Sequence, residues 1–317
     1  MERNLAMDAV RVTEAAALAS SRFMGLGDHV AADRAAAEAM RQAFDSIAID
    51  GTIVIGEGPE DAIHVLYVGE RVGAGGRPAD VALDALEGAT ICATGGYNAL
   101  SVIVLADPGS LLRVPDTYMD KIACGPAGRG VVDLDRGVEA NLRALADAKG
   151  VYVEDLTVAV LDRPRHDKLI DEVRSAGARI KLIGDGDVSA ALATTRPEAG
   201  IDILMGVGRA PQGVLTAAAL KCLGGEMQAR FAPRNEAEAR ELRSLGENER
   251  KRKYGLDDLA AGNVMLSATG VTAGDFLAGV RYVKGGAITN SVVMRSATGT
   301  IRLIEAHHHF DRAPTYE

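Results

Sequence analysis

The chain has 317 residues, 47% of them hydrophobic, and a formal net charge of −9 at pH 7. An excess of 44 acidic over 35 basic side chains argues against general binding to nucleic acids or anionic membranes. The chain has no Trp, five Phe and seven Tyr, so we do not expect an aromatic platform on which single-stranded nucleic acid stacks.

The length is enough for one large core or two adjoining ones. Three cysteines, Cys92, Cys124 and Cys222, are widely spaced and form no CxxC pair, which is typical of reduced thiols inside a cell. The N-terminal residues are charged from the start, and no run of about eighteen apolar residues occurs. We therefore expect a cytoplasmic protein without a signal peptide, a membrane span or a nucleic-acid partner.

The first 150 residues predict two helices followed by strands. The first helix covers the Ala-rich residues 5–24, and the second runs from an N-cap at Asp28 to Phe44. We predict strands over 51–55, over 64–68 as its hairpin partner, over 80–84 and over 99–106, with a Gly-rich loop at 71–78. Helices followed by mostly hairpin-type strands indicate an α+β arrangement.

From about residue 156, strands and helices alternate. The predicted strands are 156–161, 179–183 and 201–205, and the predicted helices are 165–176, 187–195 and 212–223. This alternation indicates a βαβ sheet that is partly or wholly parallel. The charged segment 235–253 predicts a solvated helical excursion, and strands resume at 264–267, 287–294 and 300–306. We expect an α/β fold arranged as a layered α/β/α/β/α sandwich, with the site in a cleft between two sheets.

A pair of acidic residues provides the first candidate site. Asp84 and Glu87 are three residues apart and are followed by Gly88, where a strand is expected to run into a turn. Their oxygens could form a cage for Mg²⁺ or Mn²⁺, as in phosphoryl transfer, although acidic turns after strands are also common. Asp33 and Glu57 are further candidate ligands. The position of Asp33 fits the surface of a helix better than a metal site. Glu57 has glycine on both sides, which is an unusual position for a charge that only contacts solvent.

Three successive predicted strands of the second half end in polar or Gly-rich motifs, at 163–166, 185–187 and 206–213. Ligands of open α/β sheets bind at the carboxyl ends of strands. The arginines of the first motif suit a phosphate, the acids of the second suit sugar hydroxyls, and the third could cradle a phosphate. A basic helix cap, or a turn with an N-cap, is the alternative for the first two motifs.

Two other motifs are less specific. The segment 267–270 (Ser-Ala-Thr-Gly) predicts another turn near the cleft. The triplet 307–309 (His-His-His) lies on a predicted terminal strand, where successive side chains alternate between faces, so at most two can converge. We therefore expect a surface or interface role for the His triplet rather than a catalytic metal site.

Together these motifs resemble the class II fructose-1,6-bisphosphatases, members of the lithium-sensitive sugar and inositol phosphatase superfamily. The resemblance runs through nearly the whole chain, from Arg11 to Ile304. Its landmarks are Gly27-Asp28, Ala32-Asp33, the string from Ile49 to Gly58, Asn98-Ala99-Leu100, the string from Pro115 to Met119, Arg163-Pro164-Arg165-His166, Asp185-Gly186-Asp187 and Ser267-Ala268-Thr269-Gly270.

The resemblance implies a Mg²⁺- or Mn²⁺-dependent enzyme that removes the 1-phosphate of fructose 1,6-bisphosphate, with sedoheptulose 1,7-bisphosphate as an alternative substrate. It implies a metal-site half at 1–150 and a sugar-phosphate half at 151–317, packed as one unit in a homodimer or homotetramer. The implied metal positions are Asp33, Glu57, Asp84, Glu87 and Gln212. The implied catalytic positions are Glu57, Asp84, Glu87 and Ala89. The implied substrate-binding positions are Glu87, Gly88, Tyr118, Arg163, Arg165, Asp185, Asp187 and Arg209.

The chain departs from the family pattern at several of these positions. The first family motif looks like Asp-Pro-x-Glu-Gly-Thr, but Ala85 and Ala89 stand at its Pro and Thr. The later motif looks like Gly-Gly-x-Pro-Glu-Gly, but Arg209 and Gln212 stand at its second Gly and its Glu. The family Thr is expected to orient the attacking water, and the Glu is expected to bind metal.

Arg34 and Pro59 also differ from the family pattern. Because several changes fall on the expected site, three hypotheses follow. The chain is an active sugar bisphosphatase, or an enzyme that binds a phosphosugar or phosphonucleoside with altered chemistry, or a non-catalytic sugar-phosphate sensor.

Overall fold

The protein is described by a computed structural model that covers residues 5–58, 64–243 and 245–311. It forms two compact units. The first unit contains the chain up to Leu105, Met265–Arg295 and the segment from Thr300, and the second contains Ala106–Val264 and Ser296–Gly299. These units are not the consecutive segments 1–150 and 151–317 of the sequence prediction, because the chain returns to the first unit after residue 264.

Helices and strands are numbered in chain order. The α-helices are α1 (Leu5–Ser20), α2 (His29–Phe44), α3 (Ala89–Thr94), α4 (Val138–Lys149), α5 (Asp167–Ser175), α6 (Asp187–Ala193), α7 (Ala210–Leu223), α8 (Glu236–Arg243), α9 (Glu247–Lys251) and α10 (Leu256–Leu259). The strands are β1 (Ile49–Ile55), β2 (Arg71–Val72), β3 (Arg77–Glu87), β4 (Leu100–Ala106), β5 (Tyr118–Cys124), β6 (Thr157–Leu161), β7 (Arg179–Ile183), β8 (Ile203–Arg209), β9 (Glu226–Phe231), β10 (Tyr254–Gly255), β11 (Val264–Gly270), β12 (Arg281–Val283), β13 (Gly286–Arg295) and β14 (Thr300–His309).

The first sheet has the strand order β12-β13-β11-β4-β3-β1-β2, with β14 also paired to β13. It is mixed, because β1 and β3 are parallel whereas β13 is antiparallel to β11, β12 and β14. The prediction that 64–68 is a hairpin strand is wrong: Leu66 has a left-handed φ of 58°, which interrupts extended backbone. The short strand β2 is the antiparallel neighbour of β1 instead.

Two helices cover the core of the first unit. The apolar face of α1 is fully buried at Ala9, Val10 and Ala16, as the helical periodicity of the sequence predicts. The predicted N-cap of α2 is confirmed, because the Asp28 carboxylate accepts a hydrogen bond of 2.9 Å from the Ala31 backbone N–H.

The second sheet has the order β10-β9-β5-β8-β6-β7. Strands β7 and β8 are both parallel to β6, whereas β5 is antiparallel to β8 and β9, so the predicted βαβ sheet is partly parallel. Strand β8 runs four residues beyond its predicted end, through Arg209. The charged segment 235–253 forms the helices α8 and α9, as predicted.

The segment 267–270 is not a turn, because it lies in the fully buried strand β11. Its hydroxyl groups form a buried network in which Thr13 lies 3.0 Å from Ser267 and 2.8 Å from Thr269. This network satisfies the polar groups of the core, so it explains the motif structurally.

The His triplet lies at the end of β14, where His307 and His309 are exposed and His308 is half-buried, as the alternation of faces predicts. His308 Nε2 lies 2.8 Å from the Thr289 hydroxyl. Within the described ranges, no helix has the length and apolar character needed to cross a bilayer.

Candidate active site

The acidic pair of the first unit lies in a strand rather than in a turn. Strand β3 continues through Glu87, and the turn begins at Gly88, which has a left-handed φ of 92°. Asp84 is half-buried and Glu87 is only 3% exposed. Ala89 follows as the first residue of α3, so a methyl group stands where the family motif has a hydroxyl.

Glu57 lies next to this strand end. Its Oε1 accepts a hydrogen bond of 2.8 Å from the Ala85 backbone N–H. The turn that positions it requires Gly56, because a Cβ atom there would collide with the Leu66 carbonyl oxygen. Packing therefore explains the glycine at position 56. The hydrogen bond between Glu57 and Ala85 brings together two of the segments that are predicted to hold the metal.

Asp33 lies in the second turn of α2 and is half-buried. Burial raises the pKa of this carboxyl group, and the charge of His29 opposes the effect. Arg34, next in the chain, is exposed. Pro59, another departure from the family pattern, lies outside the described residues. A half-buried carboxylate of this kind is one that a bound divalent cation would stabilise.

The described residues contain no group of three or more His, Cys, Asp or Glu side chains arranged to hold a metal ion. The chemistry of the predicted ligands still suits Mg²⁺ or Mn²⁺, because Asp33, Glu57, Asp84 and Glu87 supply hard carboxylate oxygens from one unit. In the second unit, Gln212 lies in the first turn of α7 with its side-chain oxygen buried.

The arginines after β6 are held by backbone carbonyl groups. Arg163 donates to the Gly184 carbonyl oxygen at 2.6 Å, and Arg165 donates twice to that of Val207, at 3.0 and 2.8 Å. Both arginines therefore lie at the carboxyl ends of neighbouring parallel strands, as predicted.

His166 ties this turn to β8. Its Nδ1 lies 2.7 Å from the Leu161 carbonyl oxygen, and its Nε2 accepts from the Val207 backbone N–H at 2.8 Å. Nε2 therefore carries the lone pair and Nδ1 the proton, so the ring is neutral. Burial lowers the pKa of His166, which keeps it in this state.

The two acids after β7 differ in their surroundings. Burial raises the pKa of Asp185, and the nearby charge of Asp187 acts in the same direction. Asp187 begins α6 and forms an ion pair with Lys121, whose side chain is 2% exposed. Lys121 Nζ also donates to the Arg209 carbonyl oxygen at 3.2 Å. Sequence reasoning missed Lys121; the available signal was a lysine within the apolar run of β5.

The Gly-rich segment 206–209 is part of β8, and its second glycine leaves space for this ion pair. A Cβ atom on Gly208 would lie 2.6 Å from Lys121 Nζ and would also collide with the Asp187 carboxylate. A phosphate-cradling loop is therefore not needed to explain Gly208.

Tyr118, at the start of β5, lies close to two arginine side chains. The guanidinium carbon of Arg234 is 3.6 Å from the centre of its ring, and that of Arg165 is 5.3 Å away. Arg209 pairs with Tyr118 across the β5–β8 ladder and donates to Asp116 at 2.7 Å. Arg234 was not predicted as a site residue, because nothing in its local sequence distinguishes it from the charged segment that follows.

The second unit contains a pocket of about 300 Å³ that Arg165 shares with the neighbouring strands. Asp120, Arg165 and His166 contribute to its lining. Burial raises the pKa of Asp120. A concave site that combines apolar walls with a few charged groups is typical of small-molecule binding.

Comparison with known proteins agrees with the resemblance that the motifs suggest. Residues 3–308 match the family model described as bacterial fructose-1,6-bisphosphatase, glpX-encoded. The chain is 42% identical over 326 aligned residues to fructose-1,6-bisphosphatase 1 class 2 of Escherichia coli K12, with 98% of this chain and 97% of the relative covered. Identity and coverage are the same for fructose-1,6-bisphosphatase class 2 of Shigella flexneri.

Proposed function

The chain belongs to the class II fructose-1,6-bisphosphatase family, and we propose on this premise that it is a metal-dependent phosphoric monoester hydrolase of sugar bisphosphates. The proposed reaction removes the 1-phosphate of fructose 1,6-bisphosphate, with sedoheptulose 1,7-bisphosphate as a possible alternative substrate. A cytoplasmic location, a homodimer or homotetramer, and the layered α/β/α/β/α sandwich remain predictions from the family.

The observation that best supports the proposal is the arrangement of charged groups at the carboxyl ends of β6, β7 and β8. Arg163 and Arg165 are oriented by carbonyl groups of the neighbouring strands. Asp185 and Asp187 follow the next strand, where they can accept hydrogen bonds from sugar hydroxyl groups. Guanidinium groups bind phosphate through paired N–H donors, so this edge suits a phosphosugar.

We assign the cation, Mg²⁺ or Mn²⁺, to Asp33, Glu57, Asp84 and Glu87. Such a cation supplies Lewis-acid stabilisation of the charge that develops on the transferred phosphate. The chain's own groups bind and orient the sugar phosphate. Lys121 contributes by neutralising Asp187 in its buried position, which leaves the remaining lone pairs of that carboxylate as acceptors for the sugar.

A second candidate function follows from Ala89 and Gln212. Ala89 has no hydroxyl group to orient water, and Gln212 lacks the charge of the family's Glu. Loss of one such group costs about 10²- to 10³-fold in rate. The alternative is therefore a protein that binds a phosphosugar or phosphonucleoside with altered or lost hydrolysis, including a sensor without turnover.

Phosphate release decides between these functions. The purified protein should be assayed with a panel of sugar bisphosphates and monophosphates in Mg²⁺, in Mn²⁺ and in EDTA. Release from one bisphosphate that is abolished by EDTA supports the hydrolase. No release from any substrate, combined with retained binding of a sugar phosphate, contradicts the hydrolase and supports the second candidate.

A further inference from the structure

The outer edge of the first sheet is a long strand with one neighbour. Strand β14 pairs with β13 over its full 10 residues without a bulge, and in the described part of the chain it pairs with no other strand. Its sequence contains neither Pro nor Lys. Proteins usually protect an edge strand by making it short, by a bulge, or by Pro and Lys residues. Strand β14 lacks these protections, so it is a template on which another strand can pair.

Alternate residues of β14 direct their backbone groups towards the open edge. Just beyond the ladder and in the same register, the Phe310 backbone N–H donates to the Gly285 carbonyl oxygen at 3.0 Å. In an antiparallel ladder, pairs that exchange hydrogen bonds alternate with pairs whose N–H and C=O groups point away from the partner strand. The odd-numbered residues from Ile301 to His309 therefore direct both backbone groups away from β13.

The side chains of β14 also favour a partner strand. Ile301 and Leu303 are 46% and 61% exposed, while Ile304 on the opposite face packs against the core of the first unit. Besides its histidines, the strand carries one positive and one negative side chain, Arg302 and Glu305, so it has no excess of either charge. A long, partly apolar edge of this kind is a site of association with another strand.

The charges of β14 are compatible with a second copy of the chain. If a two-fold axis perpendicular to the sheet relates two copies, their β14 strands run antiparallel and the residue at the axis lies opposite itself. An axis at Arg302 or at Glu305 would place like charges directly opposite each other, which is unfavourable. An axis at Ile304 avoids this. Arg302 then lies opposite Ala306 of the second copy, and Glu305 lies opposite Leu303.

The length of the strand also favours an axis at Ile304. An axis at Leu303 pairs fewer residues, because β14 begins at Thr300. The axis at Ile304 pairs residues 300–308 of each copy and allows about eight backbone hydrogen bonds between the odd-numbered residues. Stable protein interfaces have roughly 10 ± 5 direct hydrogen bonds, so the strand pair alone supplies an ordinary number of them.

We propose that the chain forms a homodimer in which the β14 strands of two copies pair antiparallel around Ile304 and join the two first sheets into one continuous sheet. The inference names the surface and the register of the dimer, and it does not depend on the proposed activity. His307 lies opposite Ile301 of the second copy in this register, which gives the His triplet a position at the interface.

Cysteine crosslinking tests the register. The thiols of Cys92, Cys124 and Cys222 are buried and burial raises the pKa of each, so a cysteine introduced on β14 is the reactive one. Directly opposite residues of a pair without hydrogen bonds have Cα atoms about 4.5 Å apart, which a disulfide can span. Ile304→Cys should give a covalent dimer with diamide on a non-reducing gel. Arg302→Cys is the control and should stay uncrosslinked, because the two copies of residue 302 lie far from the axis.

Charge substitution at Ala306 tests the interface under native conditions by sedimentation. Ala306→Arg faces Arg302 of the second copy at two symmetric positions and should raise the Kd of the dimer by about 10-fold. Ala306→Glu, a similarly large side chain, faces the same arginine and should not weaken the dimer. Combining Ala306→Arg with Arg302→Glu should restore the Kd of the parent protein. Leu303→Pro removes an N–H that points to the open edge and should give a monomer.

A double variant guards against a folding artefact at the half-buried Ile304. Leu303→Cys combined with Glu305→Cys uses two exposed positions that lie opposite each other across the interface, so it should also crosslink. A monomeric parent protein overturns the inference, as does a dimer that neither Ala306→Arg nor Leu303→Pro weakens. Crosslinking of Arg302→Cys but not of Ile304→Cys overturns the register. None of these measurements uses phosphate release, so failure of the proposed function leaves them decisive.

Discussion

The two units hold their candidate residues in different ways. In the second unit, Arg163 and Arg165 are oriented by backbone carbonyl groups, and Asp187 is paired with the buried Lys121. In the first unit, the candidate acids come from α2, the turn after β1 and the end of β3, and the described residues include no three-acid group that could hold a metal. The comparison indicates that protein groups orient the proposed phosphate-binding residues of the second unit, and we predict that a cation completes the arrangement of the acids in the first.

Electrostatics explains the difference. Carboxylates repel one another, and burial already raises the pKa of Asp33. Bringing several of them to one point is unfavourable until a divalent cation supplies the opposite charge. In the second unit, Arg163 and Arg165 have carbonyl partners and Asp187 has Lys121, so these three groups are held without a ligand.

The largest expected effect comes from removing the buried ammonium group of Lys121 in the second unit. Lys121→Met leaves the Asp187 carboxylate buried without its partner, and breaking such a pair from one side costs about 3–5 kcal/mol. Urea titration should show this loss in the free energy of unfolding. Lys168→Met is the control, because that side chain is 90% exposed, and its effect should stay within about 0.5 kcal/mol. Equal stabilities of the two variants would contradict the account.

The second-largest expected effect is on the rate of phosphate release. It concerns one group in each unit that the family pattern has and this chain lacks. Ala89→Thr restores a hydroxyl in the first unit and Gln212→Glu restores a charge in the second. Together they should raise metal-dependent phosphate release by about 10²-fold. Thr90→Ala, which removes an exposed hydroxyl from the same helix, should leave the rate unchanged. If the restored variant is no faster than the parent, the two positions do not limit the reaction.

A larger side chain at position 208 provides a second test of the ion pair between Lys121 and Asp187. Gly208→Ala places a methyl group against Lys121 and Asp187, and forced contacts of this kind cost about 1–3 kcal/mol. Gly137→Ala is the matched control, because a Cβ atom there has nothing within 4 Å. Thermal unfolding of the two variants gives the comparison, and a Gly208→Ala protein as stable as the control would be evidence against a tightly packed pair.

The smallest expected effect is a pH dependence from His166. Its pKa is lowered in the folded protein, so below about pH 6.5 the unfolded chain binds a proton that the folded protein does not. The stabilisation is therefore present above that pH and is lost as the pH falls through it towards the folded-state pKa. Urea midpoints at pH 7.5 and 5.5 should differ less in His166→Gln than in the parent or in His309→Gln. An identical pH dependence in all three proteins would show that His166 does not titrate in this way.

Sequence reasoning succeeds where the signal is local. The N-cap at Asp28 and the bounds of β7 are confirmed, because capping chemistry and apolar patterning act within a few residues. Sequence reasoning fails where contacts between residues far apart in the sequence determine the local structure. Lys121 is 66 residues from Asp187, and the reason for Gly208 is the ion pair between them.

At one place, the backbone conformation differs from what the sequence pattern predicts. The run 64–68 has the composition of a strand, but the left-handed backbone of Leu66 prevents extended pairing. The roles of the site residues cannot be read from either pattern or fold alone, because binding and rate depend on the ligand and the cation.

The most direct test of the central claim is a titration of fructose 6-phosphate into the protein by calorimetry, once with Mn²⁺ and once with EDTA. If the phosphate-binding residues are arranged by the protein alone, binding persists in EDTA with a Kd within about 10-fold of that in Mn²⁺. Loss of binding in EDTA would contradict this account, because it would show that the sugar-phosphate site itself requires the metal.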